Sequence, residues 1–141
     1  MSQQVPKIQQ TLRVKRKFDS AHKLNHYVGP CANVHGHTWH FEVYIAISKL
    51  MDNVEFGIDF KDIKKTIDEL ITDKLDHKML NECVPYFASK NPTAENIAEY
   101  ILNTLYYVFK EKFNATVNRV DVWETENSCV TVTLQNTALK E

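Results

Sequence analysis

Apolar and polar residues alternate over residues 11–20. Leu12, Val14 and Phe18 fall on one parity, and Arg13, Lys15 and Lys17 on the other. Successive side chains of a strand point to opposite faces, so this predicts a half-buried strand, with Arg16 interrupting its apolar side. His22 keeps the parity of Phe18. The alternation returns over residues 38–48. Trp39, Phe41, Val43, Ile45 and Ile47 occupy one face, and His40, Glu42, Tyr44 and Ser48 the other. His35 and His37 share the apolar parity, so in extended chain one ion could take both. Gly36 between them has no side chain to obstruct that approach. Residues 23–36 contain Asn25, Gly29, Pro30, Asn33 and Gly36, the composition of a loop.

The period changes after residues 49–57. Phe60, Ile63, Ile67, Leu70 and Ile71 follow helical spacing, which predicts a helix to about Leu75 with Asp59 as N-cap and Asp62 in its first turn. Asp76 and His77 lie just beyond it. Residues 80–90, with Pro85, read as a loop. Pro92 and Thr93 open a second helix, with Thr93 as N-cap and Glu95 facing the positive end of the dipole. Ala94, Ile97, Ala98, Ile101, Leu102, Leu105 and Phe109 form its apolar stripe, and it ends near Phe113 and Asn114. Residues 117–125 and 129–134 return to strand patterning, with a tight hairpin turn at Glu126, Asn127 and Ser128. Residues 1–9 read as a loose lead-in and 138–141 as a frayed tail. The order β-β-α-α-β-β predicts an α+β fold: a four-stranded antiparallel sheet with two helices on one face. Such a sheet has open edges, which joining edge to edge across subunits into a barrel would remove.

Length and composition narrow the class. The 141 residues fit a single domain, 1–141, with its core at about 11–134, and 43% hydrophobic residues can supply that core. A net charge of -1 argues against a broad nucleic-acid surface. The polar residues 1–10 carry no signal-peptide pattern, and no apolar run approaches a membrane span. Cys31, Cys83 and Cys129 form no C-x-x-C pair, which fits a reducing cytoplasm.

Candidate chemistry concentrates around residues 22–37. His22, His35 and His37 could hold Zn2+ through three imidazoles, leaving a fourth position for water or substrate. The plainer alternative is two surface histidines beside a turn and one core histidine. Cys31, four residues before His35, reads as a base or nucleophile near the metal, as a fourth ligand, or as a small buried loop residue. Asp76 and His77 read as a carboxylate–imidazole relay or as a polar helix end. Glu124 keeps the parity of Val120 and Val122, and a carboxylate there is costly to bury unless paired. It either twists into solvent or sits at a pocket mouth, where it could bind the paired N–H donors of a pterin or guanine.

Six stretches carry a resemblance. They are Phe18-Asp19-Ser20-Ala21-His22-Lys23-Leu24, Cys31-x-x-x-His35-Gly36-His37, Gly57-Ile58-Asp59-Phe60, Leu75-Asp76-His77-Lys78-Met79-Leu80-Asn81, Pro92-Thr93-Ala94-Glu95-Asn96 and Glu124-Thr125. In this order they resemble the 6-pyruvoyltetrahydropterin synthase / 6-carboxytetrahydropterin synthase family. The resemblance implies the tunnelling fold, in which three subunits join their sheets into a barrel. The expected assembly is a homo-oligomer, a trimer or a dimer of trimers, with active sites between subunits. It implies His22, His35 and His37 as zinc ligands, Cys31 as proton acceptor, Asp76 and His77 as relay, Glu124 as pterin anchor and Thr93 as a further pterin contact.

The implied substrate is 7,8-dihydroneopterin triphosphate, with no nucleic-acid or membrane partner. Two lyase products are open: 6-carboxy-5,6,7,8-tetrahydropterin, with release of acetaldehyde and triphosphate, for deazaguanine (queuosine) synthesis, or 6-pyruvoyltetrahydropterin by triphosphate elimination. The short C-x-x-x-H-G-H spacing looks more like the carboxy-forming type. A different class, a non-catalytic zinc-stabilised pterin- or purine-binding module, would use Cys31 as a structural ligand.

Overall fold

The computed structural model describes residues 3–135. Strand β1 (Gln10–His22) and strand β2 (His35–Ile47) form a long antiparallel pair. A short 3-10 turn (Pro30–Ala32) lies in the loop between them. Strand β4 (Thr116–Thr125) pairs with β2, and β5 (Ser128–Thr133) with β4, both antiparallel. Val14 faces Val43, which faces Val120, so the apolar parity continues across the sheet. Beneath this face pack Ile63, Ile67, Ile71 and Leu75 of the first helical segment and Ile97, Ile101, Leu105 and Phe109 of the second, all fully buried. The α+β class and the helical layer on the apolar face agree with the sequence pattern.

The sheet differs from expectation. It has five strands in the order β3-β1-β2-β4-β5. Strand β3 (Lys78–Met79) runs parallel to β1, pairing Ser20 with Lys78 and Ala21 with Met79, so the sheet is mixed rather than purely antiparallel. Two residues are too few to show an alternation, which hides this strand in the sequence. Residues 80–90 are not plain loop either: they hold helix α3 (Leu80–Cys83) and a 3-10 turn (Pro85–Ala88) that buries Phe87. The expected tail at 138–141 lies outside the described residues.

The first long helix is α1 (Phe60–Ile67), a π turn (Asp68–Thr72) and α2 (Asp73–Leu75) in succession. Asp59 caps it, accepting the Lys61 N–H at 2.8 Å. Residues spaced by four drift around a pure α-helix by about 40° per step. The wider π turn takes up part of that drift, so Ile63, Ile67, Ile71 and Leu75 all stay buried. Arg16 is no defect in the apolar face. Its guanidinium reaches the helical layer and binds Asp68, the first residue of the π turn, through two bonds of 2.8 and 2.5 Å. The second helix, α4 (Ala94–Phe113), is capped by Thr93, which accepts the Asn96 N–H at 3.1 Å. It ends at Asn114, whose φ of 50° is the left-handed stop such residues tolerate. In β4 the register with β2 slips between Tyr44 and Ile45. The extra residue lets Val117 and Val120 both face the core despite their odd spacing.

The other sheet face is polar and self-satisfied. Asp121 accepts two bonds from Arg119, at 2.9 and 3.0 Å, and one from Thr131 at 2.7 Å. Arg119 also stacks on the Tyr44 ring at 4.4 Å. Burial pushes the Asp121 carboxyl up, but the Arg119 and Thr131 hydrogen bonds outweigh it and hold the group below its ordinary value. That stabilisation is full above the unfolded value of about 4 and is lost as pH falls through the lower folded value. Asp121→Asn is expected to cost about 1–2 kcal/mol at pH 7, with the gap to wild type narrowing towards pH ~3, as urea unfolding at the two pH values would read.

Candidate metal centre and relay pair

Strands β1 and β2 end together, with His22 opposite His35 and Ser20 opposite His37. Glu124, near the end of β4, keeps the core-facing parity and joins them. Ligating atoms of His22, His35, His37 and Glu124 all lie within 4.8 Å of one another. The sequence-expected histidine triad is thus brought to one point, with Glu124 beside it.

Backbone carbonyls set the ring orientations. Nδ1 of His22 lies 2.8 Å from the Pro92 carbonyl, at the residue before the α4 cap. Nδ1 of His35 lies 2.7 Å from the Asn33 carbonyl. A carbonyl accepts only, so each Nδ1 carries the proton and Nε2 keeps its lone pair. Burial lowers the pKa of His22 and His37, and only Glu124 and the Pro92 carbonyl oppose it. Both imidazoles are neutral at pH 7. Yet Glu124 Oε1 stands 3.4 Å from His22 Nε2 and 3.3 Å from His37 Nε2. Both Nε2 atoms are buried without a hydrogen-bond partner. At His22 Nε2, left unprotonated by the Pro92 carbonyl on Nδ1, the facing carboxylate oxygen is repulsive unless a cation lies between them. The donor set therefore fits a divalent transition metal, with carbonyl partners on the second nitrogens of His22 and His35. Trp39 supports the cluster, its ring 5.1 Å from that of His22 and 5.3 Å from that of His37.

Cys31 sits half-buried in the 3-10 turn, its carbonyl accepting the Leu24 N–H at 2.9 Å. It is not among the clustered ligating atoms. Asp76 and His77 do contact each other, with Asp76 Oδ2 2.9 Å from His77 Nδ1. The Asp19 N–H, and then the His77 ring, hold the Asp76 carboxyl below its ordinary value. His77 is exposed and adopts a φ of 57°. Within the chain, this pair and Cys31 do not share a cluster. Thr93 stands next to Pro92 and spends its hydroxyl oxygen on the α4 cap. Gly36 is less critical than its place suggests: a Cβ there would meet only the Ser20 carbonyl, at an ordinary 3.6 Å. The Pro92 and Asn33 carbonyls went unread in the sequence. Their nearest signals are the Pro-Thr helix start and the Asn two residues before His35.

Comparison with known proteins fits this geometry. The family model described as 6-pyruvoyl tetrahydropterin synthase matches residues 11–135. A human protein named 6-pyruvoyl tetrahydrobiopterin synthase is 34% identical over 119 residues, covering 84% of this chain and 80% of the relative. A Haemophilus influenzae protein named 6-carboxy-5,6,7,8-tetrahydropterin synthase is 31% identical over 130 residues, covering 79% and 89%. The solved 6-pyruvoyl tetrahydropterin synthase of Caenorhabditis elegans shares the fold, with a TM-score of 0.76 at 23% identity over 91% of this chain and 97% of that one. The chain belongs to the 6-pyruvoyl tetrahydropterin synthase family, a family of lyases.

Removal of one imidazole should empty the centre. The wild-type chain is expected to bind about one divalent metal ion per subunit, and His22→Ala to lose most of it, as elemental analysis would show. Metal release on acidification is expected below pH ~6.5, because burial holds His22 and His37 under the ordinary imidazole value.

Proposed function

We propose that the chain is a zinc-dependent lyase that converts 7,8-dihydroneopterin triphosphate to 6-carboxy-5,6,7,8-tetrahydropterin, with release of acetaldehyde and triphosphate. The observation that carries this reading is the convergence of His22, His35, His37 and Glu124 on one point, with unpartnered Nε2 atoms, in a chain of this family. Imidazole donors with a free position favour zinc. His22, His35 and His37 would hold the ion, which supplies Lewis-acid polarisation of a substrate hydroxyl. Cys31 accepts a proton from the substrate side chain, and its place outside the ligand cluster favours a base over a fourth ligand. His77, its Nδ1 held by Asp76, offers Nε2 for proton transfer. Glu124 binds paired ring N–H donors and orients the pterin, and the Thr93 hydroxyl contacts the ring.

Cys31 and His77 meet across a subunit boundary in this reading. The β1 edge over residues 10–19 and the outer edge of β5 carry no partner strand among the described residues. Closing these edges into a barrel, as a trimer or a dimer of trimers, satisfies them. No helix among the described residues is long and apolar enough to cross a membrane. A cytoplasmic location suits the free thiols Cys31, Cys83 and Cys129.

The C-x-x-x-H-G-H spacing supports the carboxy product for deazaguanine synthesis, whereas likeness to the human relative favours 6-pyruvoyltetrahydropterin. Incubation with 7,8-dihydroneopterin triphosphate separates them. Acetaldehyde should appear in step with turnover. A pyruvoyl product without acetaldehyde would select the second reading. Cys31→Ala is expected to keep metal and fold while losing at least about 100-fold in kcat. Loss of metal and unfolding in that variant would favour a non-catalytic zinc-stabilised binding module. Glu124→Gln should mainly raise KM.

A further inference from the structure

Asp19 makes three bonds around the relay pair, and it carries no role in the reading above. It lies on β1 opposite Thr38 of β2, one residue from His37. One of its carboxylate oxygens accepts the Thr38 hydroxyl at 2.5 Å. Its backbone serves the relay: the Asp19 N–H donates to Asp76 Oδ1 at 2.8 Å, and the Asp19 carbonyl accepts the His77 N–H at 2.6 Å. Ligating atoms of Asp19, Asp76 and His77 all lie within 4.8 Å of one another. Asp19, His37, Thr38 and His77 line one shallow groove of about 610 Å3.

His77 needs this support. Within its own chain the side chain is 79% exposed, so the core of that chain does not fix it. Its φ of 57° lies in the left-handed region, which a non-glycine residue holds only when neighbours enforce it. The enforcing contacts run through Asp19, and Asp19 is itself pinned by Thr38. A charge-assisted hydrogen bond of this kind fixes direction well. Being exposed, it contributes little to stability.

We propose that Asp19, tethered by the Thr38 hydroxyl, is a positioning residue that sets the aim of the Asp76–His77 pair relative to the strand bearing His37. The proposal rests on the reading of His77 as a proton-transfer group. Misplacing such a group by an ångström is costly to the rate while substrate binding is spared.

The test uses the full-length, metal-loaded assembly. Thr38→Val and Asp19→Ala each remove the tether. Both are expected to lower kcat about tenfold with KM within about twofold, at unchanged melting temperature and metal content. Thr38→Ser keeps the hydroxyl and should restore kcat, which a merely structural role for the threonine methyl would not. The 15N shifts of the His77 ring give a readout free of substrate. Wild type should show the Nδ1–H tautomer that Asp76 selects, and the two tether variants a mixture. Wild-type kcat and a wild-type His77 tautomer in both variants would overturn the proposal. So would a kcat loss shared by Thr38→Ser and matched by loss of metal, which would place the effect at His37. If the wild-type chain fails to turn over the pterin triphosphate, the functional reading falls, and the tautomer result alone decides for or against Asp19.

Discussion

The register of β1 against β2 is the constraint on which the rest of the structure depends. It places His22 opposite His35 and Ser20 opposite His37, so three imidazoles gather at one end of the core face. A slip of one residue would send His22 to the opposite face and dissolve the cluster. Packing of large rings guards against that slip. Phe18 stacks on Trp39 with centroids 6.1 Å apart, and both are buried. Trp39 in turn backs His22 and His37. The cost of the arrangement is local. Of the buried side-chain polar atoms without a partner among the described residues, those of Ser20, His22, His37 and Trp39 sit around this one end. Groups left unsatisfied in an otherwise well-paired core mark a place kept for something other than stability.

The two sheet faces divide the remaining work. The helical face supplies burial, and Arg16, a charged intrusion on it, is paired with Asp68 where the helix widens into a π turn. That pairing fixes the helix over β1 just before the chain emerges at Asp76. The polar face carries Asp19 and Thr38 and, further along, the Asp121 network. The three clustered histidines and the contacts that hold Asp76 and His77 from β1 and β2 are therefore drawn from the same two strands, through residues of opposite parity. His37 and Thr38 are neighbours in sequence, and their side chains serve different centres.

Parity made much of this legible. His22, His35, His37 and Glu124 all keep the apolar alternation of their strands, and all four meet. The caps at Asp59 and Thr93 were legible for a similar reason, because the side chain that does the work is the signal. What escaped has no side-chain signature. Strand β3 is two residues long, and its partner is set by tertiary packing rather than by pattern. The carbonyls of Pro92 and Asn33 orient imidazoles through backbone atoms that every residue possesses. The bulge in β4 and the π turn each add one residue to a regular element, and a periodic reading averages such insertions away. Asp19 was visible as a residue, but two of its three bonds are made by its backbone.

Glu124 joins the two demands on the site. Its Oε1 faces two imidazole nitrogens, while a ring with paired N–H donors would engage both carboxylate oxygens. One side-chain conformation cannot serve both. The carboxylate has room to turn, since it is 36% exposed and lies near the end of its strand, just before the hairpin. Turned inward, as here, it would offer a bound metal a fourth donor, an oxygen beside three nitrogens. Turned outward, it would present both oxygens to a ligand and leave the three imidazoles alone at the metal position, a donor set with room for a further ligand. A chain with a fourth ligand fixed by burial could not make that exchange. Placing the carboxylate at the exposed end of a core-facing strand would keep a metal position and the proposed anchoring position within reach of one side chain.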